Sequence, residues 1–194
     1  MQHTITVAKS AGFCFGVDRA VKLAYEALQQ HQTVATLGPI IHNQNVVDDL
    51  LKQGARIVDD VSQLQPGDCV VIRSPGVSAD VYAQLERQGN PYIDATCPFV
   101  AKIHKIVAEH TAQGHFILIA GDQNHPEVAA IVGHCKGNCF VFENETALKY
   151  FFQKNSPCSV FLFREQGEND FLPQTSGMIF SGAAARQAGA FGGG

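Results

Sequence analysis

Apolar and polar positions follow two rhythms along this chain. Short runs of β-branched and other apolar residues recur at 4–8, 33–37, 55–58, 69–73, 116–120, 140–142 and 159–163. Between them lie longer stretches with apolar residues three and four apart, the spacing of a helix that buries one face. In 17–29 that face carries Val17, Ala20, Val21, Ala24 and Leu28. In 45–53 it carries Val46, Val47, Leu50 and Leu51, and Gly54 stops the helix. Residues 61–64 form a short helix, and Ser78 caps another over 79–88. A long helix is expected from about 99 to 113, with Val100, Ile103, Val107 and Ala108 inward. The loop at 121–127 opens a helix to Val132, and a last one covers 145–152.

Strands alternating with helices are the signature of parallel α/β units. The expected fold class is α/β, with two parallel-sheet blocks meeting near Asp94–Pro98. Past about Arg164 the patterning fails. Residues 166–170 are polar and 182–194 are rich in Ala and Gly, so the tail is expected to be poorly ordered.

Composition narrows the field without naming a function. The 194 residues are 45% hydrophobic, enough for a substantial core, and carry a formal net charge of −4. No global basic field favours nucleic acid. No apolar run is long enough for a transmembrane helix. The first ten residues do not resemble a secretory signal. A cytoplasmic location follows as the expectation. There thiols stay reduced, so the six cysteines are better read as ligands, reactive thiols or core residues than as a disulfide frame.

In an open parallel sheet, ligands bind beyond the C-terminal ends of the strands. That rule sorts the cysteines. Cys14, bracketed by Gly12 and Gly16, and Cys97, followed by Pro98, each stand after a strand and before a helix. A helix N-terminus favours a thiolate, and nearby glycines let the backbone approach something bulky. From its own stretch, Cys14 is equally readable as a buried cysteine in a tight turn. Cys69 and Cys158 open strands, and Cys135 and Cys139 lie between a helix and the next strand, all on the far edge. The run from His134 to Cys139 could be half of a zinc site, but no second pair stands nearby. Two thiolates on the binding edge suggest a metal cluster with one iron open for chemistry. His42, His125 and Glu127 fall on that same edge. Singly each is an ordinary loop or cap residue. Together they suit an anion and a proton carrier.

The motifs G-F-C-F-G-V-D-R-A, I-I-H-N, D-A-T-C-P and H-P-E-V, in this order and spacing, resemble the 4-hydroxy-3-methylbut-2-enyl diphosphate reductase family of the non-mevalonate isoprenoid pathway. The resemblance covers roughly residues 5–150. It implies three α/β lobes around a 4Fe–4S cluster held by three cysteines, and reductive removal of an allylic hydroxyl to give isopentenyl and dimethylallyl diphosphates. It further implies an allylic diphosphate substrate and an external reduced donor of ferredoxin or flavodoxin type, with no nucleic acid and no membrane. Cys14 and Cys97 match two cluster ligands, His42 and His125 match diphosphate ligands, and Glu127 matches the acid of the proton relay. On this basis residues 1–13 hold a strand that pairs with a third lobe, 14–96 form the first lobe, 97–163 an incomplete second lobe, and 164–194 an irregular tail.

Two departures from the family pattern accompany the match. Pro75 stands where the family carries a further histidine. A hydrogen bond to a charged group contributes about 1.5–3 kcal/mol, so diphosphate binding is expected to weaken unless another group substitutes. The match also decays after about Phe152, and with it go the third lobe, the third cluster cysteine and later substrate contacts. The chain is therefore expected to be a truncated reductase, inactive by itself. A non-catalytic α/β fragment that binds an anion or a partner without a cluster is the alternative, and a zinc module at Cys135 and Cys139 is a third.

Overall fold

The computed structural model describes residue 6, residues 11–155 and, for the backbone alone, residues 159–164 and 178–181. The expected strand at 4–8 and most of the tail lie outside the described residues. The chain divides into two compact units, Met1–Ser74 with Gln88–Pro98, and Pro75–Arg87 with Phe99–Gly194.

The first unit holds a four-stranded sheet in the order β2-β1-β3-β4, all parallel. The strands are β1 (Val34–Leu37), β2 (Arg56–Val58), β3 (Cys69–Ile72) and β4 (Tyr92–Asp94). The central pair, β1 and β3, is buried at every position, as continuous apolar runs in a parallel sheet require. Helix α1 (Phe15–Gln30) lays Ala20, Ala24 and Ala27 into a core with Val34, Ile40, Leu50, Val71 and Ala95. Its larger residues, Val17, Val21 and Leu28, pack around that centre. Helix α2 (Gln44–Lys52) starts at Asn43, whose side chain accepts the Val46 N–H at 3.2 Å. Asp68 is buried, and its carboxylate closes the turn before β3 by accepting from the Arg56 guanidinium and the Gln65 N–H.

Register decides what this sheet can present. Leu37 pairs with both Val58 and Ile72, and Ile72 pairs with Asp94. All four strands thus end at one level, and the loops that follow them leave from one edge.

The second unit has the strand order β6-β5-β7-β8. The strands are β5 (Phe116–Ala120), β6 (Cys139–Phe142), β7 (Ser159–Arg164) and β8 (Met178–Ser181). Successive residues of β5 face opposite ways. Ile117 and Ile119 pack with Ile103 and Val107 of α4 (Pro98–Ala112) and Val128 and Ile131 of α5 (Pro126–Val132). On the other face, Leu118 and Phe116 meet Phe151 of α6 (Glu145–Lys154), which stacks on Phe140 at 4.7 Å between ring centroids.

Three expectations change. Met178–Ser181, inside the stretch read as irregular tail, is a strand and runs antiparallel to β7; its short Met-Ile-Phe run lies among glycines and polar residues that dilute the pattern. Helix α3 (Ala79–Gln88), placed by position in the first lobe, belongs almost wholly to the second unit. The Ala79 N–H donates to the Gly133 carbonyl at 3.3 Å and the His134 ring donates from Nε2 to the Val77 carbonyl at 3.0 Å. A Cβ on Gly133 would come within 2.8 Å of the Ser78 Cα, so a glycine permits that approach. On α4 the fully inward polar positions are His104 and Thr111, whereas Ala108 is half-buried. The His104 ring stacks on His134 at 4.2 Å, and the Thr111 hydroxyl donates to the Val107 carbonyl at 2.9 Å.

Candidate functional site

Cys14 is the N-cap residue of α1 and is exposed; its thiol makes no capping bond, while its carbonyl accepts the Asp18 N–H at 2.9 Å. Cys97 follows β4 and immediately precedes α4. Both lie in the first unit, although Cys97 was expected in the second lobe. A Cβ built on Gly16 would stand 2.6 Å from the Cys97 sulfur and 3.0 Å from its Cβ. The Cys97 side chain therefore rests on the first turn of the helix that Cys14 caps. Gly16, singled out as a glycine beside something bulky, has that thiol as its neighbour.

Two groups that sequence reasoning passed over hold this arrangement. Arg19, one turn into α1, donates from its guanidinium to the Thr96 and Asp94 carbonyls, each at 3.2 Å. Ser74 acts through its backbone: its N–H donates to the Ile40 carbonyl at 3.2 Å, and its carbonyl accepts the Cys97 N–H at 2.8 Å. One residue after β3 thus ties the loop after β1 to the loop after β4. Backbone bonds leave no signature in residue type, so the sequence carried no sign of it.

The crowding at Gly16 makes a direct prediction. Gly16→Ala forces the Cys97 side chain and α1 apart, and overpacking of this kind costs about 1–3 kcal/mol. For a chain of this size each kcal/mol lowers Tm by about 2–4 °C. Thermal unfolding followed by circular dichroism reads the shift; an unchanged Tm would mean that the thiol swings clear at no cost.

His42 lies on the loop between β1 and α2 and is exposed. One strand, β3, separates β1 from β4, so the roots of the His42 and Cys97 loops are about 10 Å apart. Arg73, just past β3, is half-buried, and its Nη1 lies 2.8 Å from where a Cβ on Gly38 would stand. Gly38 has φ +71°, a second reason for glycine there. Burial pulls the Arg73 pKa below its ordinary value, and its Nε is buried without a hydrogen-bond partner. Pro75 is half-buried in the loop that follows.

His125 and Glu127 are in the second unit, beyond the C-terminal end of β5. His125 is the N-cap of α5, and both residues are half-buried. The Glu127 N–H donates to His125 Nδ1 at 3.4 Å. Accepting there puts the neutral ring's proton on Nε2, the nitrogen that can donate to an anion. The structure thus groups Cys14 with Cys97 and His125 with Glu127.

The remaining described cysteines stand elsewhere. Cys69 is the first residue of β3, fully buried, with its thiol pKa raised by burial. Cys139 opens β6, and Cys135 lies between α5 and that strand. Among the described residues no group of three or more His, Cys, Asp or Glu side chains is placed to hold a metal ion. Cys158 lies outside the described residues.

These features define an α/β protein whose chemistry-bearing side chains follow the C-terminal ends of parallel strands, with two thiols at one helix N-terminus. The LytB protein family model matches residues 5–171, further along the chain than the sequence resemblance to about 150. The chain belongs to the LytB family. It is 41% identical over 174 residues to the 4-hydroxy-3-methylbut-2-enyl diphosphate reductase of Caldanaerobacter subterraneus, covering 87% of this chain and 60% of that protein. It is 43% identical over 143 residues to the Aquifex aeolicus protein of the same name, covering 72% and 49%. A solved (E)-4-hydroxy-3-methyl-but-2-enyl diphosphate reductase, described as the terminal enzyme of the non-mevalonate pathway, superposes with a TM-score of 0.71 at 38% identity, over 84% of this chain and 59% of that one. A Plasmodium falciparum reductase does so with a TM-score of 0.73 at 26% identity, over 86% and 52%. The chain spans about half to three fifths of the length of the relatives it matches. No helix among the described residues is long and apolar enough to cross a membrane.

Proposed function

We propose that this chain supplies the first two lobes of a reductase that removes the allylic hydroxyl of 4-hydroxy-3-methylbut-2-enyl diphosphate, yielding isopentenyl and dimethylallyl diphosphates. The observation that carries the proposal is the Cys97 thiol seated on the first turn of the helix capped by Cys14, in a chain of the LytB family.

The donor set fits part of an iron–sulfur centre. Thiolates are the ligands of such clusters, and Cys14 and Cys97 present two of them at one helix N-terminus. Gly16 leaves the room that a side chain would fill. When bound, a 4Fe–4S cluster supplies the two electrons needed to break the carbon–oxygen bond. The chain's own side chains do the rest. His42, and His125 through Nε2, donate to diphosphate oxygens. Glu127, as a protonated carboxyl, delivers a proton to the departing hydroxyl oxygen so that it leaves as water, and a second proton, drawn from solvent, goes to the allylic carbon to complete either product. Arg73 adds a guanidinium on the edge that carries His42. The electrons come from an external donor of ferredoxin or flavodoxin type. The described cysteines are free thiols, in keeping with a cytoplasmic enzyme.

The test is a chimera extended with the remaining part of the Caldanaerobacter relative and purified without oxygen. It should be brown, contain iron and acid-labile sulfide, and consume the diphosphate with a reduced donor. Cys14→Ser and Cys97→Ser should each remove the colour and the activity. A colourless protein that still binds the diphosphate would instead make this an anion-binding α/β protein without a cluster.

A further inference from the structure

Cys135 and Cys139 take no part in the proposed chemistry, yet they form the most closely associated pair of thiols in the second unit's described residues. Lys136, Gly137 and Asn138 separate them and are exposed. Gly137 has φ +94°, a conformation that turns the chain back sharply. The Ile117 N–H donates to the Asn138 carbonyl at 2.7 Å, fixing the end of the turn to β5. Cys139 then pairs with Ile117 as the first residue of β6, at the border of the sheet. At the start of the turn the Cys135 N–H donates to the Val132 carbonyl at 2.9 Å. Both side chains pack on the same cluster of Ile103, Val107, Ile117 and Ile131, and both are half-buried. The turn thus sets the two thiols four positions apart on one apolar cluster, where each alters the other's ionisation.

We propose that Cys135 and Cys139 form a reversible disulfide, a redox modification site distinct from Cys14 and Cys97, with low-molecular-weight disulfides of the glutathione class as the oxidant. The roles of the two sulfurs differ. The neighbouring Cys135 thiol lowers the Cys139 pKa against the opposing effect of burial. The nearby Cys139, followed by burial, raises Cys135. The Cys135 thiol donates to the Ile131 carbonyl at 3.6 Å, and an ionised Cys139 sulfur offers it a stronger acceptor. Cys139 is therefore the attacking thiolate and Cys135 the resolving thiol.

In the first step the Cys139 thiolate attacks one sulfur of the oxidant, breaking its S–S bond and releasing one thiolate. A mixed disulfide remains on Cys139. Cys135 then gives up its proton to solvent and attacks the Cys139 sulfur, releasing the second thiolate. Together the two cysteines lose two protons and two electrons, and the oxidant becomes two thiols.

The experiment uses the intact 194-residue chain in a mixed oxidised and reduced glutathione buffer. The reaction is quenched with acid, free thiols are alkylated, and peptides are mapped by mass spectrometry. Cys135 and Cys139 should join to each other about tenfold faster than any other cysteine pair forms, and dithiothreitol should reverse the bond. The Cys14→Ser/Cys97→Ser double variant should behave identically, which separates this result from the fate of the proposed cluster. Cys135→Ser should accumulate stable glutathione adduct on Cys139. Cys139→Ser should lose the fast reaction. Persistent alkylation of both residues, or adduct on Cys139 forming no faster than on Cys69, would overturn the proposal. A variant whose circular dichroism departs from wild type is replaced by the corresponding alanine variant, to which the same outcomes apply.

Discussion

In the chimera extended with the Caldanaerobacter remainder, Glu127→Gln should lower kcat by about 10²–10⁴-fold while KM stays within a few-fold. That range is what a positioned general acid contributes. The substitution keeps the volume and hydrogen-bonding capacity of the side chain but leaves no acidic proton to give. Its backbone position is held independently: the Glu127 N–H donates to His125 Nδ1, and Val128 beside it is fully buried. A glutamine should therefore sit where the glutamate sits. His42→Ala serves as the contrast. His42 is exposed on a loop whose backbone is anchored by Asn43 and Ser74 rather than by the ring. Its loss should raise KM with less effect on kcat, the sign of binding shared by ground state and transition state. Equal, small effects from the two variants would remove both residues from the assigned roles.

The elements that carry these side chains were legible because each is built from a local pattern. Short apolar runs marked the strands, and strand ends placed His42 after β1, Cys97 after β4 and His125 after β5, with Glu127 in the first turn of α5. What tied the loops of the first unit together was hidden for a physical reason. Ser74 uses only its main chain, and Arg19 reaches two carbonyls across 77 and 75 positions. Neither interaction leaves a period or a spacing. The grouping of α3 was hidden in the same way, since it rests on the Ala79 N–H bond to the Gly133 carbonyl and on the His134 ring's bond to the Val77 carbonyl, between segments far apart in the chain. His104 and Thr111 fill inward positions of α4 because each finds a local partner, a stacked ring or a carbonyl one turn back. An apolar count read that face toward Ala108 instead.

The 194-residue chain by itself should hold iron well below one cluster per chain, lose it in air, and show no turnover with a reduced donor. The reason is a count of reachable thiolates. Cys14 and Cys97 are two, both on the first unit. Cys69 lies at the opposite end of β3, five residues before Ser74, whose carbonyl holds the Cys97 amide. At about 3.3 Å per residue the backbone separation is about 16 Å, whereas a thiolate must come within about 2.3 Å of a metal such as zinc. Cys69 is also fully buried in the core, so reaching that edge would mean dismantling β3. Cys135 and Cys139 stand just before and at the start of β6, the end of the second unit's sheet opposite the one that carries His125 and Glu127. Exposure adds to the deficit. Phe13 and Phe15, on either side of Cys14, are 47% and 65% exposed, so the described residues leave that thiol open to water and oxygen. Iron and sulfide analysis after anaerobic reconstitution, with a turnover assay on the same sample, measures the outcome. A full complement of iron and sulfide with sustained turnover would mean that a further ligand completes the centre, and substitution of Cys158 would be the next measurement.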